Sequence, residues 1–216
     1  MTADTMTLPL FPLHTVLFPG GVLKLRIFEE RYLNLIRQCG RDHTGFVVVL
    51  IRKGREVGDT LPVLHDVGTL ATIVDFDHLP EGLLGITAQG QRRFRIHAVR
   101  SRPDGLLLGS GEFLSMDPWQ AIPDSFVILK DLLEVLAGTS RESFPKKNRP
   151  DNDAPGMQNG QEIISQDAAS LAWRLCEHLL VPNPEKQAVL EMHDPLARLE
   201  QVGRWLESPQ LDLTHN

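Results

Sequence analysis

A change of pattern near residue 116 constrains the fold of this chain more than any other feature of its sequence. Before that point, short apolar runs are separated by frequent glycines, which is typical of strands joined by tight turns. After it, longer segments place apolar residues every three or four positions, which is the spacing of helices. We therefore predict an α+β protein with a strand-rich subdomain over residues 1–116 and a helical subdomain over residues 117–216.

The strand-rich half alternates between apolar and charged side chains. Leu23, Leu25 and Ile27 share one face of a predicted strand, and Phe94 and Ile96 share the inward face of another. The same alternation predicts that Arg93 and Arg95 point outward. We predict strands at residues 8–10, 15–17, 22–28, 46–52, 68–77, 83–89, 92–100 and 106–114, with Gly90 separating two of them. Many short strands at close spacing favour a barrel.

Five segments have helical spacing. One lies among the strands at 29–39, where Gly40 is expected to end it. In the second half, Pro123 and Gly138 are expected to bound a helix, and the apolar stripe at 164–179 predicts another. Asn183-Pro184 and Asp194-Pro195 each resemble a cap followed by proline, and they predict two more. Residues 139–160, which are rich in Pro, Asn, Lys and Gly, are predicted to form a long mobile loop.

Charge and cysteine content narrow the class of protein. The net charge is −6, and it is divided unevenly, with +1 over residues 1–116 and −7 over residues 117–216. Such an acidic balance disfavours a nucleic-acid binder. Cys39 and Cys176 fall on predicted helix stripes, so we expect buried thiols rather than a disulfide framework. No leader or membrane segment is evident, and we expect a cytoplasmic protein without a membrane partner.

Motifs for catalysis are missing from the sequence. It has no phosphate-binding Gly-Lys motif, no His-Glu-x-x-His and no Gly-x-Ser-x-Gly. Ser143 and Lys146 have the spacing of a Ser-Lys pair but lie in the predicted loop, where a lysine would stay solvated and fully charged. Asp75, Asp77 and His78 could flank a metal but are better explained as a solvated turn. We expect no catalytic residues, no metal and no cofactor.

A basic cluster follows one predicted strand, namely Arg92, Arg93, Arg95, Arg100 and Arg102. It could contact RNA phosphates, which is the alternative function considered for this chain. It could equally be the solvated face of an amphipathic strand, paired with acids such as Glu29 or Glu30. Because no aromatic side chains alternate with these arginines on the outward face, where they could stack on bases, the second interpretation is favoured.

The N-terminal segment carries a specific signature. Pro-Leu-Phe-Pro-Leu at 9–13, Leu-Phe-Pro-Gly at 17–20 and Ile-Phe-Glu-x-Arg-Tyr at 27–32 are followed, in order, by Gly-Thr-Leu-Ala-Thr-Ile at 68–73 and Arg-Phe-Arg-Ile at 93–96. Glu-Lys-Gln-Ala-Val-Leu-Glu at 185–191 follows, and Asp194 and Arg198-Leu199 come last. Together these motifs resemble the Lon N-terminal domain family, the substrate-binding domain of Lon proteases, which is also related to cereblon-like proteins and occurs as a stand-alone protein.

The resemblance implies a PUA-like pseudo β-barrel followed by a C-terminal α-helical bundle. It also implies structural roles for the motif residues Pro12, Phe18, Pro19, Gly20, Phe28, Glu29, Arg31, Tyr32, Gly68, Arg93, Phe94, Lys186 and Gln187. The function it implies is binding of unfolded or degron-like polypeptide, in partnership with a protease or chaperone. Because the sequence contains no ATPase or Ser-Lys protease region, we expect a non-catalytic module.

Polypeptide binding would need exposed apolar side chains. The candidates are Phe11, Leu13 and Phe18 in the N-terminal segment, and Phe113, Met116 and Trp119 at the junction between the two halves. Each of these side chains could instead belong to the core, and for any single residue the core interpretation is favoured. Exposure in the structure is the first test of this prediction.

Overall fold

The structure is a computed structural model that describes residues 5–56, 61–79, 82–141 and 167–207. It is a mixed α/β protein with a mainly antiparallel sheet and several helices. The strands are β1 (Met6–Leu13), β2 (Val22–Ile27), β3 (Phe46–Lys53), β4 (Val63–Leu64), β5 (Val67–His78), β6 (Leu84–Ser101) and β7 (Leu107–Phe113). The helices are α1 (Glu30–Asp42), α2 (Ile128–Arg141), α3 (Ala168–His178), α4 (Asn183–Glu191) and α5 (Pro195–Glu207), and a 3₁₀ turn spans Asp124–Phe126.

The sheet curls back on itself through β1. Its strand order is β1-β7-β6-β5-β3-β4, and β2 pairs with β6 beside this path. The first half of β1 pairs with β7 in antiparallel fashion, and its second half, Leu10–Leu13, pairs with β3 in parallel. The pairings therefore form a ring, β1-β7-β6-β5-β3, that encloses apolar side chains.

The predicted strands at 83–89 and 92–100 form one long strand, β6, and the prediction that Gly90 separates them is wrong. Gly90 instead lies where another backbone segment crosses the strand. It exchanges two hydrogen bonds with that segment, from Gly20 N to Gly90 O at 2.9 Å and from Gly90 N to Gly21 O at 2.8 Å. A side chain at Gly90 would clash with the Phe18 carbonyl, so the glycine serves close approach rather than a turn. The strand predicted at 15–17 is not formed.

Helix α1 seals one end of the ring. Its buried stripe is Tyr32, Leu35, Ile36 and Cys39. The Tyr32 ring stacks on Phe11 with centroids 4.1 Å apart, as a side chain packed on the sheet should. The helix continues past Gly40 and ends at His43, whose left-handed backbone donates its N–H to the Cys39 carbonyl. The predicted stop at Gly40 is therefore three residues early.

Strand β3 is covered on both faces. Phe46 and Val48 pack with α1 and β1, whereas Val47 and Val49 pack against Phe94 on the opposite side. All four residues are buried. A continuous apolar run is the expected sequence for such a strand, because both of its faces leave water.

The later helices bury their predicted apolar stripes. Leu129 and Leu133 of α2 pack with Leu171 and Leu175 of α3 in a cluster that also includes α4 and α5. Helix α5 begins at Pro195, and the Asp194 carboxylate accepts the Leu196 N–H at 2.9 Å, which confirms the predicted cap. Helix α2 runs to Arg141, beyond the predicted end at Gly138. The rest of the loop predicted at 139–160 lies outside the described residues.

Within the part of the chain that the structure describes, no helix is both long and apolar enough to cross a membrane.

Candidate functional site

A groove of about 820 Å³ separates the sheet from helix α3. One side is formed by the turn before β2 and by β6, and the other by α3. The segment that leaves β7, residues 114–117, passes along the groove and supplies part of its lining. The site therefore lies at the junction between the strand-rich and helical parts.

The base of the groove is aromatic and its rim is apolar. Trp173 of α3 is buried, and its ring stacks on Phe18 with a centroid separation of 5.5 Å. Met116 on the rim is 77% exposed, although methionine is an apolar side chain that folding normally buries. An apolar surface that is open to solvent thus continues into an apolar base.

Below this base lies a buried ionic cluster. Asp117 accepts hydrogen bonds from Arg93 Nη2 at 2.9 Å and from Arg198 Nη1 at 3.0 Å, and from the Trp173 indole N–H at 3.2 Å. The Arg198 guanidinium lies 3.5 Å from the centre of the Trp173 ring. Burial lowers the pKa of both arginines, and the Asp117 charge opposes this effect. One carboxylate therefore holds two buried cations in place.

The two arginines also bind the turn between α4 and α5. Arg93 Nη1 donates to the carbonyls of Leu190 at 3.0 Å and Met192 at 2.6 Å, and Arg198 Nη2 donates to Met192 at 2.9 Å. The prediction that Arg93 points outward is wrong, because the face of β6 opposite Phe94 is covered by helices rather than by water. Arg93 joins the sheet to the helices, which is a structural role of the kind that the family motif implies.

A carboxylate closes the other end of the groove. Glu177 of α3 accepts the Val22 backbone N–H, and a side chain at Gly21 would clash with its carboxylate oxygen. Desolvation raises the pKa of Glu177 to about 7, although the Val22 hydrogen bond and the nearby Arg174 charge act in the opposite direction. Burial also lowers the pKa of neighbouring Lys186. Glu177 therefore links α3 to the start of β2.

The structure divides the predicted peptide-binding residues into two groups. Phe11, Leu13 and Phe18 are buried, because β1 has a strand on each side and Phe18 packs beneath Trp173. For these three residues the core interpretation holds, and they do not offer a surface for peptide binding. Phe113 is partly covered by Arg92, whose guanidinium lies 4.6 Å from its ring centre.

Met116 and Trp119 are the two candidates that face solvent, and Trp119 is 72% exposed. Met116 lines the groove, whereas Trp119 lies outside the lining and three residues further along the same segment. Of the predicted peptide-binding residues, those that are exposed and available for binding thus lie at the junction.

The N-terminal motif residues occupy the sheet and its helix. Arg31 pairs with Glu29 at 2.7 Å and donates to the Gly105 carbonyl at 3.0 Å. Pro12 lies beside Val49 of β3, and Gly20 makes the turn before β2 with a positive φ of 82°. Phe28 differs from its neighbours because it is 61% exposed at the end of β2.

The later motif residues connect the sheet to the helices. Gly68 pairs with Phe94 between β5 and β6. Gln187 of α4 is buried, and its amide donates to the Val67 carbonyl of β5 at 2.9 Å. Lys186 precedes it on the same helix. These contacts fix where α4 sits on the sheet.

The basic strand does not form one continuous exposed row. Arg93 is buried, Arg95 is partly covered, and Arg102 is paired with Asp104 at 3.0 Å. Arg92 and Arg100 are exposed. The expected partners Glu29 and Glu30 are not used, since Glu29 pairs with Arg31 instead. Binding of RNA phosphates along this strand would require a continuous row of exposed arginines. Because Arg93 is buried, that row is interrupted.

The two thiols are buried, as predicted. Burial raises the pKa of Cys176 to about 12 and also raises that of Cys39. A thiol with a raised pKa is a poor nucleophile at neutral pH. Across residues 5–56, 61–79, 82–141 and 167–207, no cluster of His, Cys, Asp and Glu could hold a metal ion. Asp75 and Asp77 are exposed on β5.

Sequence reasoning missed four residues of the site, namely Asp117, Trp173, Glu177 and Arg198. Arg198 could have been found, because it lies on the buried stripe of α5 together with Pro195, Leu199 and Val202. A charged residue at such a position is buried only when it is paired. Nothing in the local sequence identifies Asp117, since its partners are 24 and 81 positions away.

Comparison with known proteins agrees with this architecture. A family model described as the ATP-dependent protease La (LON) substrate-binding domain matches residues 7–208. The crystal structure of a Lon N-terminal domain protein from Xanthomonas campestris is 32% identical, covers 93% of this chain and 98% of that one, and superposes with a TM-score of 0.70. The N-terminal domain of a Mycobacterium avium complex Lon protease shares the fold at 19% identity, with 94% of this chain and 100% of that one covered and a TM-score of 0.59.

Two full-length proteases show which part of a Lon protein is matched. The Lon protease of Azorhizobium caulinodans is 28% identical over 94% of this chain and 22% of its own length. That of Escherichia coli K12 is 27% identical over 98% of this chain and 26% of its own length. The chain thus spans about a quarter of the length of these relatives. The matched family model is the substrate-binding domain, and no catalytic domain is matched.

Proposed function

Because the chain belongs to the family of the ATP-dependent protease La (LON) substrate-binding domain, we propose that it is a non-catalytic module for binding unfolded or degron-like polypeptide segments. The occupants would be protein substrates, delivered to or shared with a protease or chaperone. The observation that carries this proposal is the groove of about 820 Å³, with its exposed apolar rim at Met116.

The shape and chemistry of the groove suit an extended chain. A volume of this size exceeds what one side chain needs and falls in the range of ligand clefts. Met116 offers apolar contact, while Gln89 offers a side-chain amide to a peptide backbone. Apolar contact combined with backbone hydrogen bonding gives affinity without strict sequence specificity.

The proposal extends to the architecture that the family implies. We propose that residues 1–116 form a PUA-like pseudo β-barrel and that residues 117–216 form a C-terminal helical bundle. The closed ring of strand pairings and the shared core of α2 to α5 support this division. We also propose a cytoplasmic location, with which two free, buried thiols are consistent.

The test is binding of the purified protein to an immobilised array of overlapping peptides at low and high salt. We expect retention of peptides rich in apolar and aromatic residues, because apolar contacts survive salt that screens charges. Met116→Ser should weaken this retention by roughly tenfold, the effect of losing one buried methionine side chain from an interface. Trp119→Ser measures whether the bound segment continues beyond the groove.

Met6→Ser is the matched control, because Met6 is also an exposed methionine but lies on β1 away from the groove. It should leave peptide retention unchanged. Equal losses for the variants at Met116 and Met6 would reject the groove as the site. An array that retains no peptide at micromolar protein would reject autonomous polypeptide binding altogether.

A further inference from the structure

We propose that the groove selects segments in which an aspartate or glutamate lies next to a bulky apolar residue, and discriminates against lysine and arginine at that position. This inference rests on the proposed function and names the substrate class of the same site. It follows from the hydrogen bonds and ion pairs that the charged groups of the groove make within the protein.

The carboxylates of the groove are all engaged by protein groups. Asp117 binds the two buried arginines, Arg93 and Arg198. Asp167 caps helix α3 by accepting the backbone N–H groups of Ala169 and Ser170 at 3.0 and 3.1 Å. Glu177 accepts the Val22 backbone N–H. These contacts use part of the acceptor capacity of each carboxylate, and less of it remains for a basic ligand.

The cations outnumber these carboxylates. Arg92, Arg93 and Arg174 line the groove, and Arg198 lies directly behind Asp117. Asp117 is thus shared by two arginines, and the second carboxylate that acts on Arg198, that of Asp194, lies outside the groove lining. A positive charge in a poorly solvated place acts over a longer distance than the same charge in water.

Arg92 is the cation best placed to meet a ligand. It is exposed, and no carboxylate of the described residues lies within ion-pair distance of it. Its contacts are the Phe113 ring and a long hydrogen bond of 3.5 Å from Nη2 to the Leu114 carbonyl. Most of its donors thus remain available for a carboxylate.

The position of Arg92 defines the ligand pattern. Its guanidinium touches Leu114, two residues before the exposed Met116 on the same segment. A ligand side chain packed on Met116 would place its neighbours within reach of Arg92. The matching pattern is an apolar residue with an acidic residue one or two positions away.

The preference for acidic peptides would depend on contacts in the groove and not on the net charge of the chain. The whole chain carries a net charge of −6, so long-range attraction favours basic ligands rather than acidic ones. A preference for acidic peptides would therefore have to arise from contacts in the groove.

The experiment measures fluorescence anisotropy with a matched series of labelled, unstructured peptides. The peptides share one apolar centre and differ only in its flanking residues, which are Asp, Asn or Lys. We expect the Asp peptide to bind two- to fivefold more tightly than the Asn peptide, the range for one partly exposed ion pair, and the Lys peptide to bind most weakly. Raising the salt concentration should reduce these differences.

Arg92→Gln should remove the advantage of the Asp peptide while leaving the Asn peptide unchanged. Arg100→Gln is the matched control, because Arg100 is an exposed arginine of the same strand outside the groove lining. Equal affinities for the three peptides, or equal effects of the two arginine variants, would overturn this inference while leaving polypeptide binding intact. Failure of all three peptides to bind would instead overturn the proposed function.

Discussion

The interior of the sheet and the junction between sheet and helices are buried by different means. Inside the ring, Phe11, Tyr32 and Phe46 pack ring against ring among aliphatic side chains. At the junction, the buried surface contains Arg93, Gln187 and Arg198 as well as apolar residues. Apolar packing is non-directional, whereas hydrogen-bonded pairs fix orientation. The polar groups thus set how the helices sit on the sheet, and with it the shape of the groove.

The most severe change to the junction should be Asp117→Asn. It keeps the side-chain size but leaves the fully buried Arg198 and nearly buried Arg93 without a counter-charge. We expect the free energy of unfolding to fall by about 3–5 kcal/mol, the usual result of breaking a buried ion pair on one side. Chemical denaturation followed by tryptophan fluorescence measures this.

Two comparison variants sharpen the result. Asp104→Asn removes the carboxylate of an exposed pair with Arg102 and should cost less than about 1 kcal/mol. Leu35→Met alters a fully apolar contact of the ring interior at similar volume and should cost less than about 1.5 kcal/mol. If Asp117→Asn were no more costly than these two, the junction would not depend on its ionic cluster.

A smaller effect is expected for Gln187→Leu. The leucine fills a similar space but loses the hydrogen bonds from the Gln187 amide to the Val67 carbonyl and to Glu191. The buried Gln187 carbonyl oxygen has no partner among the described residues, and its removal offsets part of that loss. We expect a net cost of about 1–2 kcal/mol in thermal or chemical denaturation.

Gln201→Leu provides the control for this substitution. Among the described residues, the side-chain hydrogen bonds of Gln201 go to Arg204 on the exposed side of α5, so its loss should change stability by no more than about 0.5 kcal/mol. Equal costs at the two positions would show that Gln187 does not anchor α4 to the sheet.

The same contrast explains what could be predicted from the sequence. Two sequence patterns are sufficient to predict strands β2 and β3, namely the alternation at Leu23, Leu25 and Ile27 and the apolar run of β3. Each of these patterns follows from local geometry and burial. The same alternation predicts, wrongly, that Arg93 faces solvent. Alternation indicates which face of a strand a residue occupies, but it does not indicate what covers that face. The partners of Arg93 lie in segments that are distant in sequence, and the local sequence pattern does not predict such long-range pairs.

Exposure at the candidate site shows the same limit. Phe18 and Met116 are both apolar residues near the junction, yet one is buried under Trp173 and the other is 77% exposed. Nothing in the sequence distinguishes an apolar side chain that packs in the core from one that contacts a ligand. Met116 lies on the segment that ends at Asp117, and Asp117 is bound by Arg93 from a strand 24 positions away.

The smallest expected effect is the pH dependence of protein stability that arises from Glu177. In the folded protein, burial raises the pKa of Glu177 from its ordinary value of 4.5 to about 7. The folded state therefore disfavours the charged form. The stability that goes with the protonated form is fully present below about pH 4.5 and is lost as the pH rises through about 7. Glu177→Gln should remove this loss.

Because Glu177 remains exposed at the end of the groove, solvent screens its charge, and we expect Glu177→Gln to stabilise the protein at pH 8 by about 1 kcal/mol or less. Glutamine cannot lose a proton, and its oxygen can still accept the Val22 N–H. Unfolding titrations from pH 5 to 8 compare the variant with Glu207→Gln, an exposed glutamate at the end of α5. A gain at pH 8 that persists undiminished at pH 5 would mean that the amide, rather than removal of the charge, stabilises this contact.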